Sequence, residues 1–357
     1  MNIILDGRVD FQTGMYTYLM NLNDNLSLVD SHLNINILKN KFNILKTNNK
    51  KIRALDDIFY EFSIMSHDLK SIGCDIFHCT KNFGIPYFVS FPVVVTIHDL
   101  IPLMLRNDYS PSVLHYNYFK YNFKRSIMQS DAIISISKFT QNEIYKKFSK
   151  LQHKLYCIPQ GCNQLFGNSV DIDKSLKIMK SFGIERDFIL VMGGAEPRKN
   201  VAMLVSLFDE NSDVIPSDLV LIGGNWSSYT IPTPKMRKRD FHCLKNLSEN
   251  ELAAVYKMAT VFVFPSIYEG FGLPVLEAMA CGTPVLAHNG SSIPEVAGDA
   301  AMLVNMHNPD ECLRALSRLL TNRSLREEYI AAGRERVKMF SWEKTAAQTL
   351  EVYKSVL

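Results

Sequence analysis

The stretch VFVFPSIYEGFGLPVLEAMACGTPV, residues 261–285, decides the fold. Residues 261–264 are apolar and β-branched or aromatic throughout and stop at Pro265, the pattern of a strand buried on both faces of a parallel sheet. A helix is predicted to begin near Leu273, with Pro274 at the first helical position, where its missing N–H costs nothing. Gly282 and Pro284 close it before a second apolar strand, 285–287. The loop between strand and helix holds Gly270 and Gly272, with Glu269 before the glycines and Glu277 one turn into the helix.

Glycines let backbone N–H groups approach a ligand, and a helix N-terminus favours negative charge. A plain strand-to-helix turn, with Glu277 complementing the helix dipole, needs no ligand, and on local features alone the two readings stay even. Two carboxylates spaced around an anion-binding turn favour a nucleotide sugar, with diphosphate on backbone amides and sugar and ribose hydroxyls on the glutamates. The segment 269–277 resembles the E-x7-E signature of glycosyltransferase family 4, retaining enzymes of GT-B fold. Residues 281–286 and the stretch GSSIPEVAGDAA at 290–301, typical of mannosyltransferase-like members, continue the resemblance. It implies an α/β chain of two Rossmann-like doubly wound domains facing a cleft. The expected division is 1–165 for an acceptor-side domain, 166–338 for a nucleotide-sugar domain, and 339–357 for a C-terminal helix crossing back to the first domain.

Size agrees with this: 357 residues, 47% of them hydrophobic, suit two domains of roughly 150–200 residues each. The net charge of +3 argues against a nucleic-acid partner. It is uneven, because residues 1–170 carry 18 Lys and Arg against 13 Asp and Glu, whereas 171–357 carry 21 against 23. The N-terminal half is therefore the one expected to face an anionic partner or a membrane surface. The seven cysteines form no C-x-x-C pair and read as reduced thiols of a cytosolic protein. No basic leader precedes the strand-like start and no apolar run approaches the roughly 20 residues of a membrane span, so the expectation is a cytoplasmic chain, at most peripheral on the inner face of the membrane.

Along the chain, residues 2–5 read as a strand, followed by Thr13 and Gly14 and a stretch of near-helical apolar spacing. Family members carry a T-G-I-G-R-Y loop here; this chain keeps Thr13 and Gly14 but lacks the second glycine and the arginine. Gly14 is either a donor-loop residue or an ordinary helix start. A second strand at 34–38 leads into a segment, 39–53, with six Lys and Arg and no acid, read as a solvated loop or a contact for anionic lipid or acceptor. His78, in a strand at 75–79, reads as a packed histidine. The run PVVVTIHDLIP at 92–102 delivers His98 to the carboxyl end of a parallel strand, where open α/β sheets bind ligands. The aromatic and basic stretch 112–129 is predicted as a helix with rings in the core and cations outside, or as a membrane or acceptor face. A strand at 132–135, a helix from Lys138 capped by Ser137, and a strand at 154–158 end the first domain.

A polar linker is expected at 162–185. Its Asp171-Ile-Asp173 has the spacing of a metal-binding D-x-D but follows no apolar strand, so no metal site is assigned. The second domain opens with a strand at 188–192 and the turn GGAEPRKN at 193–200, in which Gly194, Arg198 and Lys199 precede a helix from Asn200, matching the family's E-x-R-K-N. A strand at 219–222 ends in a glycine pair, Gly223 and Gly224, a helix is expected at 248–258, and a strand at 302–304 precedes helices from Pro309 to the end, the last with Trp342 near its start.

The resemblance implies transfer of a hexose from a nucleotide diphosphate sugar with retention, and with no cofactor. Arg198, Lys199 and the helix N-termini after 199 and 273 would neutralise the leaving diphosphate electrostatically. Glu269 would hold the sugar and its developing charge, Glu277 would grip the ribose, and the Gly270, Phe271, Gly272 and Leu273 loop would face sugar and phosphate. Cys243, Leu244 and Leu247 would line the base, and His98 would reach the sugar hydroxyls across the cleft. The preferred donor is GDP-mannose, with UDP-glucose or a UDP-N-acetylhexosamine next. The acceptor expected is a saccharide or lipid-linked carrier in surface polysaccharide or lipopolysaccharide synthesis. A nucleotide-sugar epimerase and a non-catalytic donor-binding subunit are the alternatives.

Overall fold

The computed structural model describes every residue except 11–12, 40–58, 107–112, 168–170, 212–214, 216 and 224–240. Gly224 and nearly all of the basic segment 39–53 lie outside the described residues. The chain divides into two compact units, Met1–Gly161 with Trp342–Leu357, and Cys162–Ser341.

The first unit is built on a six-stranded parallel sheet of order β2-β1-β3-β4-β5-β6, with β1 Asn2–Asp6, β2 Asn34–Leu38, β3 Ile76–Cys79, β4 Val93–Ile97, β5 Ala132–Ser135 and β6 Leu155–Cys157. Strands β3, β4 and β5 are buried at every position, as continuous apolar runs require when helices cover both faces. Helix Gly14–Val29 starts on its Thr13 cap, whose hydroxyl accepts from the Tyr16 amide, and helix Lys138–Lys147 starts on Ser137. The final helix, Trp342–Val356, returns to this unit and packs on Gly14–Val29. Its Tyr353 hydroxyl lies 2.6 Å from His78 Nδ1, and His78 Nε2 lies 2.7 Å from Thr96 Oγ1. Burial pushes the His78 imidazole down to about 3, so it is a neutral, packed histidine.

Helix Val113–Gln129 departs from the expected sorting of rings inside and cations outside. Phe119 and Phe123 are buried and Lys120 and Lys124 exposed, but Arg125 is buried too. It pairs with Glu61 at 3.0 Å and lies 3.8 Å from the centre of the Tyr87 ring. Glu61 sits on a π-helical turn, Tyr60–Ile64, that no sequence signal announced.

The second unit carries a parallel sheet of order β12-β11-β10-β7-β8-β9, with β7 Phe188–Met192, β8 Asp218–Ile222, β9 Phe241–Leu244, β10 Val261–Phe264, β11 Val285–His288 and β12 Met302–Val304. The order reverses between β7 and β10, so the crevice outside their carboxyl ends is the switch point at which doubly wound sheets take ligands. The expected linker is not irregular: it contains the helices Gln164–Gly167 and Ile172–Ser181, the second packed on helix Glu249–Met258. Its polar composition hid it, since only Ser175 and Met179 are buried. Asp171 is the cap of that helix, its carboxylate accepting from the amides of Asp173 and Lys174.

Candidate active site

The loops leaving β7 and β10 build one site at the switch point of the second sheet. After β10 the chain turns through Gly270 and Gly272 into helix Leu273–Ala280. Gly272 has φ +116°, and a Cβ there would stand 2.7 Å from the Ile293 side chain, so conformation and space both demand glycine. Leu273 takes the first helical position, which moves Pro274 to the second and Glu277 beyond the first turn. The loop is pinned from behind by Ser292, whose buried hydroxyl lies 2.9 Å from the Glu269 carbonyl and 2.7 Å from that of Phe271. Ser291 Oγ accepts from the Glu269 amide at 3.2 Å.

From β7 comes a short 3-10 turn, Pro197–Lys199, that ends at Asn200 with φ +53°; helix Val201–Glu210 therefore starts one residue later than the sequence suggested. The turn brings Lys199 Nζ to 2.6 Å and Arg198 to 3.2 Å from Glu269 Oε1, and the Ser266 hydroxyl, 2.6 Å away, donates to the same oxygen. Burial works to raise the Glu269 carboxyl, but Lys199 and Arg198 overcome it and hold the group below its ordinary value. All three donors converge on Oε1, and none among the described residues meets Oε2. The pair of cations is thus already fixed before any anion arrives.

Glu277 stands apart from this cluster. Its Oε2 accepts from the Tyr256 hydroxyl at 3.0 Å, and burial pushes its carboxyl up to about 7. Cys243 is exposed and Leu244 buried at the end of β9, an edge strand the sequence did not reveal, and Leu247 is partly buried just beyond it. Gly194 lies in the turn after β7, next to the Glu196 carboxylate.

In the first unit, Gly14 is the first residue of its helix, and a Cβ there would meet nothing within 4 Å. His98 is buried at the end of β4 with Nε2 2.8 Å from the Thr80 carbonyl. A carbonyl only accepts, so Nε2 carries the proton; burial lowers the ring to about 4, leaving Nδ1 of a neutral imidazole as an acceptor. Sequence reading missed Ser266, Tyr256 and Ser292, although Ser292 lies inside the 290–301 stretch and Ser266 directly follows Pro265.

Chemically, the second-unit site offers an anion a glycine-rich turn, a helix N-terminus and two cations, and offers hydroxyls two carboxylates. Residues 175–336 match the model of the family described as glycosyl transferases group 1. Over these residues the chain is similar to the group 1 glycosyltransferases. The chain is 28% identical over 295 residues to the O-antigen chain mannosyltransferase B of Escherichia coli, covering 78% of the chain and 74% of the relative. It is also 28% identical over 285 residues to the serotype-specific mannosyltransferase WbdA of Escherichia coli, but that match covers 75% of the chain and only 34% of the relative. Both relatives are mannosyltransferases by name. Sucrose-phosphate synthase from Thermosynechococcus elongatus superposes with a TM-score of 0.79 at 18% identity, covering 99% of this chain and 98% of that one. The two doubly wound sheets are those of the GT-B fold.

Proposed function

We propose that the protein is a retaining transferase that moves mannose from GDP-mannose to a saccharide or lipid-linked acceptor. The single observation that carries this reading is the convergence of Lys199, Arg198 and Ser266 on Glu269 at the switch point, beside the glycine turn of helix Leu273–Ala280. Cations and amides held rigidly where a diphosphate leaves stabilise its charge with no reorganisation. No metal is needed for that task, and Glu269 Oε2 is left to the transferred sugar. Glu277 binds the ribose, the segment 243–247 faces the base, and in the first unit His98 Nδ1 is an acceptor for a substrate hydroxyl. The mannose assignment draws on the two mannosyltransferase relatives, and the O-antigen chain for which one is named favours a role in surface polysaccharide synthesis at the inner face of the membrane.

The test is thermal stabilisation by nucleotides in the presence of chelator. At 100 times its Kd a nucleotide that binds only the folded protein adds about 2.7 kcal/mol. GDP is expected to raise the unfolding temperature in chelator and UDP not to. A rise with UDP alone overturns the mannose reading, and a rise that needs added magnesium or manganese overturns the metal-independent one.

A lipid-linked acceptor also fits a particular surface of the first unit. Phe62 and Phe88 are 54% and 64% exposed, with their rings in contact, and Phe62 touches Tyr87. Tyr87 meets the exposed Tyr121, which Lys120 and Lys124 flank on a helix that has no acidic residue. Exposed rings bordered by cations suit the interface of an anionic bilayer. Sedimentation with vesicles containing phosphatidylglycerol is expected, salt-sensitive and absent with phosphatidylcholine alone. The combined change of Phe62 and Phe88 to Ser and of Lys120 and Lys124 to Glu should reduce the bound fraction at least about fivefold, each lysine near such a surface contributing about 1 kcal/mol. Equal sedimentation of both proteins would remove this face from the proposal.

A further inference from the structure

Tyr256 is buried on helix Glu249–Met258, 21 positions before Glu277, and no part of the donor site assigned above uses it. Its ring is held edge-on by Phe262 at 5.3 Å and by Phe166 at 6.0 Å, so the hydroxyl has a fixed direction. That hydroxyl has one proton and two neighbours, Glu277 Oε2 at 3.0 Å and the weak acceptor Met192 Sδ at 3.6 Å. The carboxylate takes it. Oε1 of Glu277 meets no donor among the described residues.

A carboxylate in such surroundings has little else in its favour. Cys162, Cys281 and Tyr256 face Glu277, and burial holds all three neutral, with thiols and phenol raised. Glu249, on the same helix as Tyr256, adds a negative charge that works against ionisation, and Lys257 acts chiefly on Cys281. Among these groups the Tyr256 hydroxyl is the one that favours the charged form of Glu277. We infer that Tyr256 is a positioning residue for nucleotide recognition: its hydroxyl fixes Glu277 Oε2 and sustains the carboxylate, leaving Oε1 to accept from a ribose hydroxyl. This rests on the reading of Glu277 as the ribose-binding group.

The consequence is a particular pH dependence. With the free carboxyl lying near 7, affinity for a nucleoside diphosphate should strengthen as pH rises through that value and level off above it, and binding should release protons. Tyr256→Phe keeps the ring packing and removes only the hydroxyl. Calorimetric titration of GDP and UDP between pH 6 and 9 would compare wild type, Tyr256→Phe and Glu277→Gln. Loss of one hydrogen bond to a charged group should move the midpoint upward, giving about five- to tenfold weaker binding at pH 7 that recovers to within about twofold at pH 9. Fluorotyrosine at position 256, a stronger donor of nearly the same shape, should move the midpoint down, which keeps the inference testable if the phenylalanine variant folds poorly. Glu277→Gln should bind weakly without the pH step. A Tyr256→Phe protein with the wild-type midpoint, or one equally weakened at every pH, overturns the positioning role alone. A Glu277→Gln protein that binds like wild type at every pH overturns the ribose reading and the inference with it.

Discussion

Glu269→Gln should lower glycosyl transfer by roughly 10²–10³-fold, the scale on which one positioned electrostatic group acts, while leaving nucleotide diphosphate binding within about threefold of wild type or tightening it. The two outcomes diverge because of what Glu269 touches. Its Oε1 collects Lys199 at 2.6 Å, Arg198 at 3.2 Å and Ser266 at 2.6 Å, so the carboxylate sets the position of both cations while neutralising part of their charge. Glutamine keeps the length of the side chain but offers no negative charge. The cations are then freer to pair with a diphosphate, so ground-state binding of the nucleotide does not suffer. On the proposed function, what is lost is the negative group beside the sugar carbon as positive charge develops there, and the rigid placement of Lys199 against the departing phosphate. Steady-state transfer with calorimetric binding of the nucleotide separates the two. Turnover within about fivefold of wild type, in a folded variant, would exclude Glu269 from the chemistry. Lys199→Ala should fail differently, losing nucleotide affinity along with turnover, because it removes an anion partner and leaves Glu269 to Arg198 and Ser266.

Much of this was readable in advance, and the limits follow from what a single sequence encodes. Strands β4, β7 and β10 were legible because a parallel strand covered on both faces must be apolar at every position, and 93–97, 188–192 and 261–264 nearly are. The cap at Ser137 was legible because its partner lies three residues away, whereas Ser248, read as the first residue of its helix, is the cap before it. The glycine turn was legible from Gly270 and Gly272, and the positive φ of Gly272 is a local demand. The contacts that make the site work were not. Lys199 meets Glu269 across 70 positions and Tyr256 meets Glu277 across 21, and neither separation leaves a periodicity to read. Strand β9 was missed because it is a half-exposed edge strand, and helix Ile172–Ser181 because it buries so little apolar surface that it looks like a linker. Arg125 was misplaced for a related reason: its helix has apolar periodicity, and a cation on it looks solvated until its partner, 64 positions earlier, is known.

That partner sets the largest expected effect on stability. Glu61→Ala should destabilise the first unit by about 3–5 kcal/mol, the cost of stranding a buried charge by removing one member of a buried pair. Arg8 and Arg125, both buried, reach Glu61 at 3.3 and 3.0 Å, and Arg8 also holds Asp6 at 2.8 Å, with Lys81 3.8 Å from the same aspartate. Three cations already face two carboxylates. Without Glu61 they face one, and Arg125 keeps only the carbonyls of Ile85 and Pro86, the Asn122 side chain and the Tyr87 ring. Burial pushes the Glu61 carboxyl up against the pull of Arg8, Lys81 and Arg125, so the intact cluster contributes little net stability. Its value lies in being complete. For that reason the double change Glu61→Leu with Arg125→Leu should recover most of the loss, since it replaces a buried pair with apolar volume instead of breaking it. Denaturant unfolding followed by Trp342 fluorescence, in a Trp226→Phe background, reports on this unit alone, because Trp342 is buried against Tyr18. A single-variant loss below about 1 kcal/mol, or a double variant no better than the single, would mean that the charges are solvated in the native protein and that Arg125 packs by its stem and ring contact alone.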